Sequence, residues 1–318
     1  MIFESCMRFT GVILLVALSV ITVSANSEGA TSPRLPLKVP ETAWRPLDQR
    51  WDQGLQAKLD QALKQDQLWR ALIDRGKMAL GLVDLSDPAW PRFAQVNGNT
   101  MMYAASLPKI AILLAAFQGF ADGSLKETPQ IRTDLIEMIR RSDNFAASQV
   151  VARIGLTKIE RVILDPRYRF YDTKKGGGIW VGSSFARDGQ QNPEPLKNLL
   201  QAATVNQVCR FYYLLAYGRL INPERSQQML KILAFPDLHD KFVSMLEGAV
   251  PGNYLYRKSG EFRIWYSDSI LVWDKTWRRY ILVAMVEHHQ GEQILRKLVP
   301  MVENLLGPRR SPPNSRAR

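Results

Sequence analysis

The 318-residue sequence predicts an α/β (α+β) fold: an antiparallel sheet assembled from both ends of the chain, flanked by helices, with a helical lobe inserted between. Two observations carry the prediction. Short apolar, β-branched runs sit near the two ends, at 81–85 on one side and at 269–273 and 280–286 on the other. Between them, apolar residues recur at helical spacing, punctuated by Gly, Pro and Asn.

In chain order, residues 26–45 form a Pro- and Ser-containing extended leader. Trp51, Leu55, Leu59, Ala62 and Leu63 recur at helical spacing, which predicts one amphipathic helix over 48–74. Strands follow at 78–85 and 93–97. The run Ile110 to Phe117 predicts a buried helix over 103–120, ended by Asp122-Gly123. A helix over 134–140 leads into Ser142-Asp143-Asn144, and 145–164 is partly helical. The segment 165–198 is irregular, broken by Gly176-Gly177-Gly178 and Asn192-Pro193. Helices at 204–217 and 225–233, strands between 256 and 286 and a helix over 291–306 complete the domain, 46–307.

The ends read differently. Arg8, an apolar run from Gly11 to Val23, and Val23-Ser24-Ala25 before Asn26 match a cleaved secretory signal over 1–25, which predicts a periplasmic or secreted protein. An uncleaved membrane anchor is the alternative; Cys6 lies too far ahead of the cleavage point to carry a lipid. Cleavage leaves Cys209 as the sole cysteine, a small buried hydrophobe among Val208, Phe211 and Tyr212. The composition of residues 308–318 predicts a basic, disordered tail. The net charge of +12 suits weak association with anionic envelope polymers, or simply a solubilising surface. No nucleic-acid motif accompanies it. With no heptad pattern or uncovered apolar helix, a monomer is expected.

The chemistry concentrates at three short motifs. Ser106-Leu107-Pro108-Lys109 heads the apolar run, placing a hydroxyl and an amine one helical turn apart, as a nucleophile and proton acceptor require. Ser142-Asp143-Asn144 and Lys258-Ser259-Gly260 follow in that order. Average residue usage makes the ordered triplet by chance a matter of well under about one per cent. Singly, each has a plain structural explanation: Ser-Asp-Asn is turn chemistry, and Lys-Ser-Gly can open an exposed strand. Lys174 to Gly178 is no phosphate loop, lacking Gly-Lys-[Ser/Thr]. The adjacent pair His288-His289 has no third ligand at useful spacing, and His239 stands alone, so neither metal nor cofactor is expected.

Together the triplet resembles the active-serine β-lactamases and penicillin-binding proteins, the class A β-lactamases most of all, over about residues 46–306. The resemblance implies an acyl-enzyme on Ser106, with Lys109 as base or sharing that role with a carboxylate acting through water. It implies an oxyanion hole from the backbone N–H groups of Ser106 and Glu261, proton relay by Ser142, amide binding by Asn144, and a structural Asp143. Lys258 would supply positive field and attract a substrate carboxylate, which the Ser259 hydroxyl can also bind; the family more often has Thr there.

Two departures stand out. Only 36 positions separate Ser106 from Ser142, so the helical lobe is trimmed. Class A enzymes activate the deacylating water with a Glu in a Glu-x-x-x-Asn pattern; Glu194 to Asn198 has that spacing, but lies close to the helix starting at Thr204. The resemblance therefore implies opening of a β-lactam amide. Its alternatives are a D-alanyl-D-alanine carboxypeptidase acting on peptidoglycan stem peptides, another amide or ester hydrolase, and a sensor that is acylated without turnover.

Overall fold

A computed structural model describes residues 34–185 and 190–307. The signal, part of the leader and the basic tail lie outside the described residues. Five antiparallel strands, β1 (Met78–Asp84), β2 (Arg92–Val96), β8 (Leu255–Phe262), β9 (Trp265–Trp273) and β10 (Arg279–Glu287), form one sheet in the order β2-β1-β10-β9-β8. The chain ends meet where β1 pairs with β10, Leu82 opposite Leu282. Every residue of β1 is buried, because the sheet is covered on both faces.

The two faces follow the strand period of two. Leu80, Leu82, Leu282 and Ala284 pack under α1 (Gln53–Leu63), α2 (Gln67–Asp74) and α10 (Gly291–Leu306). Ala79, Val83, Ile281 and Val283 face the helical lobe and α7 (Val205–Ala216). Gly81 lets α7 approach: a Cβ there would lie 2.5 Å from Sγ of buried Cys209.

The lobe contains α3 (Lys109–Asp122), α4 (Pro129–Arg140), α5 (Asn144–Ile154) and α6 (Leu156–Leu164). Helix α3 is buried along nearly its whole length and ends at Gly123 in the left-handed region (φ 74°). Helix α4 begins at Pro129 behind the Thr128 cap, five residues earlier than expected.

Two further boundaries correct the sequence reading. The helix expected over 48–74 is divided: Asp66 accepts from the backbone N–H groups of Leu68 and Trp69 and starts α2 afresh. The serine helix begins at Lys109 rather than 103, since Met102–Tyr103 forms strand β3, paired with β7 (Gln201–Ala203). Among its described residues, the segment 165–198 carries three two-residue strands, β4 (Tyr171–Asp172), β5 (Gly177–Gly178) and β6 (Trp180–Val181), and one 3₁₀ turn at Thr173–Lys175. Among the described residues, no helix is long and apolar enough to cross a membrane.

Candidate active site

Ser106 stands in a tight turn whose shape is dictated by the residues before it. The N–H of Ala104 donates to Gln201 O (2.8 Å), and its carbonyl accepts from Leu107 N (3.1 Å) and Ser267 Oγ (2.9 Å). With Ala104 fixed on both sides, the chain reverses through Ala105 at φ 50°, a conformation costly for a residue with a Cβ. Pro108 in the following turn needs no N–H partner, and the helix proper starts at Lys109.

The second motif arrives on the loop between α4 and α5. Ser142 adopts φ 57°, and Asp143 caps α5 by accepting from Ala146 N at 2.6 Å. This reversal aims the Ser142 carbonyl and the Asn144 side chain at Lys109, whose Nζ donates to Ser142 O (2.7 Å), Asn144 Oδ1 (2.8 Å) and Asp143 O (3.3 Å). Lys109 is fully buried, with its ammonium 4.5 Å from the centre of the Phe185 ring. Burial lowers its pKa to about 7, against the opposing pull of the Asp143 carboxylate. Asn144 Oδ1 is thus occupied, while its Nδ2 has no partner among the described residues and remains available to an incoming carbonyl.

The third motif lies on β8, the edge strand next to β9. Lys258 Nζ donates to Ser142 Oγ at 2.8 Å and to the carbonyl of Ser259. Burial drives the Lys258 pKa well below the ordinary lysine value, and the charges of Lys109 and Arg257 act in the same direction. Gly260 touches the nucleophile turn: a Cβ there would lie 2.6 Å from Ser106 N and 2.8 Å from Leu107 N. Ser267 Oγ bridges the two segments, its single proton shared between Ala104 O at 2.9 Å and Gly260 O at 3.2 Å. The hydroxyl of Ser259 is nearly buried on the opposite face of the strand, the face it shares with Glu261.

Three motifs separated by up to 150 residues in sequence therefore converge through Lys109, Ser142, Asn144, Lys258 and the close approach of Gly260 to Ser106. Ser106 itself makes no side-chain hydrogen bond among the described residues, so its hydroxyl is free to take up a base or a substrate.

Glu194 is not brought into this group. Glu194 is 1% exposed as a residue, and its carboxylate accepts from Tyr171 OH (2.6 Å), Leu196 N (2.7 Å), Lys197 N (2.6 Å) and Leu199 N (3.2 Å). Burial would raise its pKa, but these donors outweigh burial and hold it below the usual carboxylate value. With both oxygens engaged inside its own loop, the side chain clamps that loop and presents no lone pair to a water near Ser106.

Sequence reasoning missed a buried ionic network beneath β8. Arg257 donates to Asp268 Oδ1 and Oδ2, both at 2.8 Å, and to Asp240. Lys241 reaches Asp240 and Glu261. Only the adjacency of Arg257 to Lys258 hinted at it. Among the described residues, no group of three or more His, Cys, Asp or Glu side chains could hold a metal ion. A separate cavity of about 420 Å³, lined by Asp48, Phe93, Arg169, Lys174 and Arg210 among others, shares no residue with the motif group.

A β-lactamase enzyme family model matches residues 65–136 and 127–302. No curated protein matches the chain by sequence. Among solved structures, a β-lactamase from Sphaerobacter thermophilus is 17% identical, with 75% of this chain and 96% of that one covered at a TM-score of 0.56. PBP-A is also 17% identical, with 80% and 96% covered at 0.57. TLA-3 extended-spectrum β-lactamase is 12% identical, with 78% and 98% covered at 0.58. At such identities the structural likeness speaks to fold, which is that of the serine β-lactamases and penicillin-binding proteins. Because the family model spans most of the domain and the motif side chains converge on one serine, the chain is a serine hydrolase and belongs to the β-lactamase enzyme family.

Proposed function

We propose that this protein opens β-lactam amides by forming an acyl-enzyme on Ser106 and releases the product slowly. The observation that carries the proposal is the chain of contacts from Lys109 through Ser142 to Lys258 around the Ser106 turn. A neutral Lys109 amine keeps two N–H groups for Ser142 O and Asn144 Oδ1 and leaves a lone pair to accept the Ser106 proton. The N–H groups of Ser106 and Glu261 flank the position of a developing oxyanion, at the start of a buried helix. Ser142, held by Lys258, returns the proton to the leaving nitrogen, and Asn144 Nδ2 binds the substrate amide.

Slow release is supported by the state of Glu194, whose carboxylate is committed to four donors. A variant of the related PBP-A fold was solved as an acyl-enzyme complex with penicillin G, and it is 18% identical to this chain. On this reading the protein behaves more like a penicillin-binding protein than a fast β-lactamase. Arg8 and the apolar run from Gly11 to Val23 within residues 1–25 support export to the periplasm or beyond, where both β-lactams and peptidoglycan stem peptides are encountered.

An intact-mass time course with a penicillin and a cephalosporin tests this, beside a Ser106→Ala control. A single adduct on Ser106 that outlasts the consumption of free drug is the expected result. Rapid loss of the adduct would mean efficient deacylation. An adduct equally abundant in Ser106→Ala would remove Ser106 from the mechanism.

A further inference from the structure

The geometry points to a second binding site, sharing no residue with the serine motifs, that takes a small organic phosphate. It lies in the cavity between the loop after α6, the first turn of α7 and the chain leading into α1. It is independent of the acyl-enzyme reading.

The cavity, about 420 Å³, has the size of a small-molecule site. Its wall carries four cations, Arg169, Lys174, Lys175 and Arg210, against two carboxylates, Asp48 and Asp172. The carboxylates do little to neutralise that surplus. Asp172 accepts from Lys174 N and so caps the 3₁₀ turn Thr173–Lys175. Asp48 lies 3.9 Å from Lys175 Nζ, and both side chains are exposed. Arg169 and Lys174 form no side-chain hydrogen bond or ion pair among the described residues.

Arg210 fixes the geometry. Its Nη1 donates to Tyr168 O, to Arg169 O (3.2 Å) and to Gln207 Oε1 (3.2 Å), and its guanidinium lies 5.4 Å from the centre of the Phe170 ring. The fork is thereby held in place, with Nη2 and Nε lacking partners among the described residues. Burial disfavours the Arg210 charge; Asp48 opposes that effect, and Arg169 adds to it. An anion between the two arginines relieves both effects. Gln207 is only 8% exposed, and with its Oε1 on Arg210 its amide NH₂ is left without a partner among the described residues. The backbone of α7 is not the donor, since Asn206 N is bound to Gly98 O and Gln207 N to Thr204 Oγ1.

The unpaired polar groups of this wall are therefore mostly side-chain donors, arriving from two separate segments. A phosphate offers several oxygens in different directions and matches a guanidinium fork, where a planar carboxylate would serve fewer of these donors. Pro46, Leu47 and Phe93 complete the wall and suit the carbon body of a phosphoester.

Isothermal titration of the full chain tests the site with three probes. These are glycerol 3-phosphate, a monoester; glycerophosphoglycerol, the soluble diester headgroup of an anionic lipid; and glycerol. Both phosphates should bind, more weakly as salt is added, and glycerol should not. Tighter binding of the monoester, expected from the surplus positive charge, assigns a free phosphoester as ligand; tighter binding of the diester assigns a lipid headgroup. Arg169→Gln should weaken binding by about tenfold, and Arg169→Gln with Lys174→Gln by about 100-fold. The unliganded Tm should not change, because neither side chain has a partner to lose. Ser106→Ala should bind as the parent does. Phosphates binding no better than glycerol, or an affinity unchanged in the double variant, would overturn the inference. So would loss of binding in Ser106→Ala, which would place the phosphate in the serine site.

Discussion

Gly260 lies directly against Ser106: a methyl group at residue 260 would sit 2.6 Å from the backbone nitrogen of the nucleophile and 2.5 Å from Ala104 O. Both atoms belong to backbone that cannot swing aside, because Ala104 is pinned to Gln201 and Ser267. Gly260→Ala must therefore push β8 away from the serine turn. The N–H of the next residue moves with the strand, so the pair of donors for the oxyanion is pulled apart. Acylation should fall by about 10²–10³-fold, the range seen when one oxyanion donor is lost. Stopped-flow acylation with a chromogenic cephalosporin measures this directly.

The lowered pKa of Lys109 sets the pH dependence. Only the neutral amine can accept the Ser106 proton, so the acylation rate should rise with pH through a midpoint near 7. Stability responds in the same direction. The folded value is lowered from 10.5 to about 7, so the unfolded chain binds the extra proton between these limits. The penalty for burying the charge is complete below pH 7 and is relieved as pH rises toward 10.5. Lys109→Met should abolish the rising limb and slow acylation by about 10²–10⁴-fold. A rate profile that keeps its midpoint near 7 in Lys109→Met would assign the titration to another group.

The buried Arg257–Asp268 pair should be a large stability determinant. Asp268 is inaccessible to solvent and accepts two bonds from Arg257, one from Phe242 N at 3.0 Å and one from Ser269 N at 2.9 Å. Asp268→Ala leaves a buried guanidinium facing only the Asp240 carboxylate and the main-chain carbonyls of Leu238 and Asp240. A loss of about 3–5 kcal/mol is expected, since removing one member of such a pair strands the other charge. Urea unfolding of the two proteins gives the difference; a change below about 1 kcal/mol would place the pair among weak surface bridges.

Much of this was legible in the sequence, for a physical reason. The sheet strands are continuous apolar runs because both faces are covered, and β1 and β10 were located within a residue or two at most ends. The three motifs were legible because each is local: Ser106 and Lys109 one turn apart, Asp143 capping its own helix. What escaped depends on distant partners. The network joining Arg257, Asp268, Asp240, Lys241 and Glu261 spans three segments with no shared spacing. The helix expected over 48–74 was over-extended because apolar periodicity continues across Asp66, and only the side-chain capping bonds reveal the break. Glu194 matched a spacing pattern, but spacing does not say whether a carboxylate faces a cleft or its own loop.

That last distinction can be measured. Glu194 Oε2 accepts from Tyr171 OH and Leu196 N, and Oε1 from Lys197 N and Leu199 N. In Glu194→Gln one of these positions becomes an NH₂ group. Tyr171 can turn its hydroxyl to accept from it, but a backbone N–H cannot, so at least one buried donor loses its partner. The cost should be about 1–3 kcal/mol, with a lower Tm. The carboxyl is held below its ordinary 4.5, so its contribution is present above that pH and is lost as pH falls through the folded value. Glu194→Gln should therefore destabilise at neutral pH and flatten the acid limb of stability. Tyr171→Phe should lower Tm in the same sense by removing one donor. As a loop clamp, Glu194 affects acylation and deacylation together, in step with Tm. A deacylation rate reduced about 100-fold with Tm and acylation unchanged would instead make Glu194 the hydrolytic base, because only loss of a proton acceptor separates the two half-reactions so cleanly.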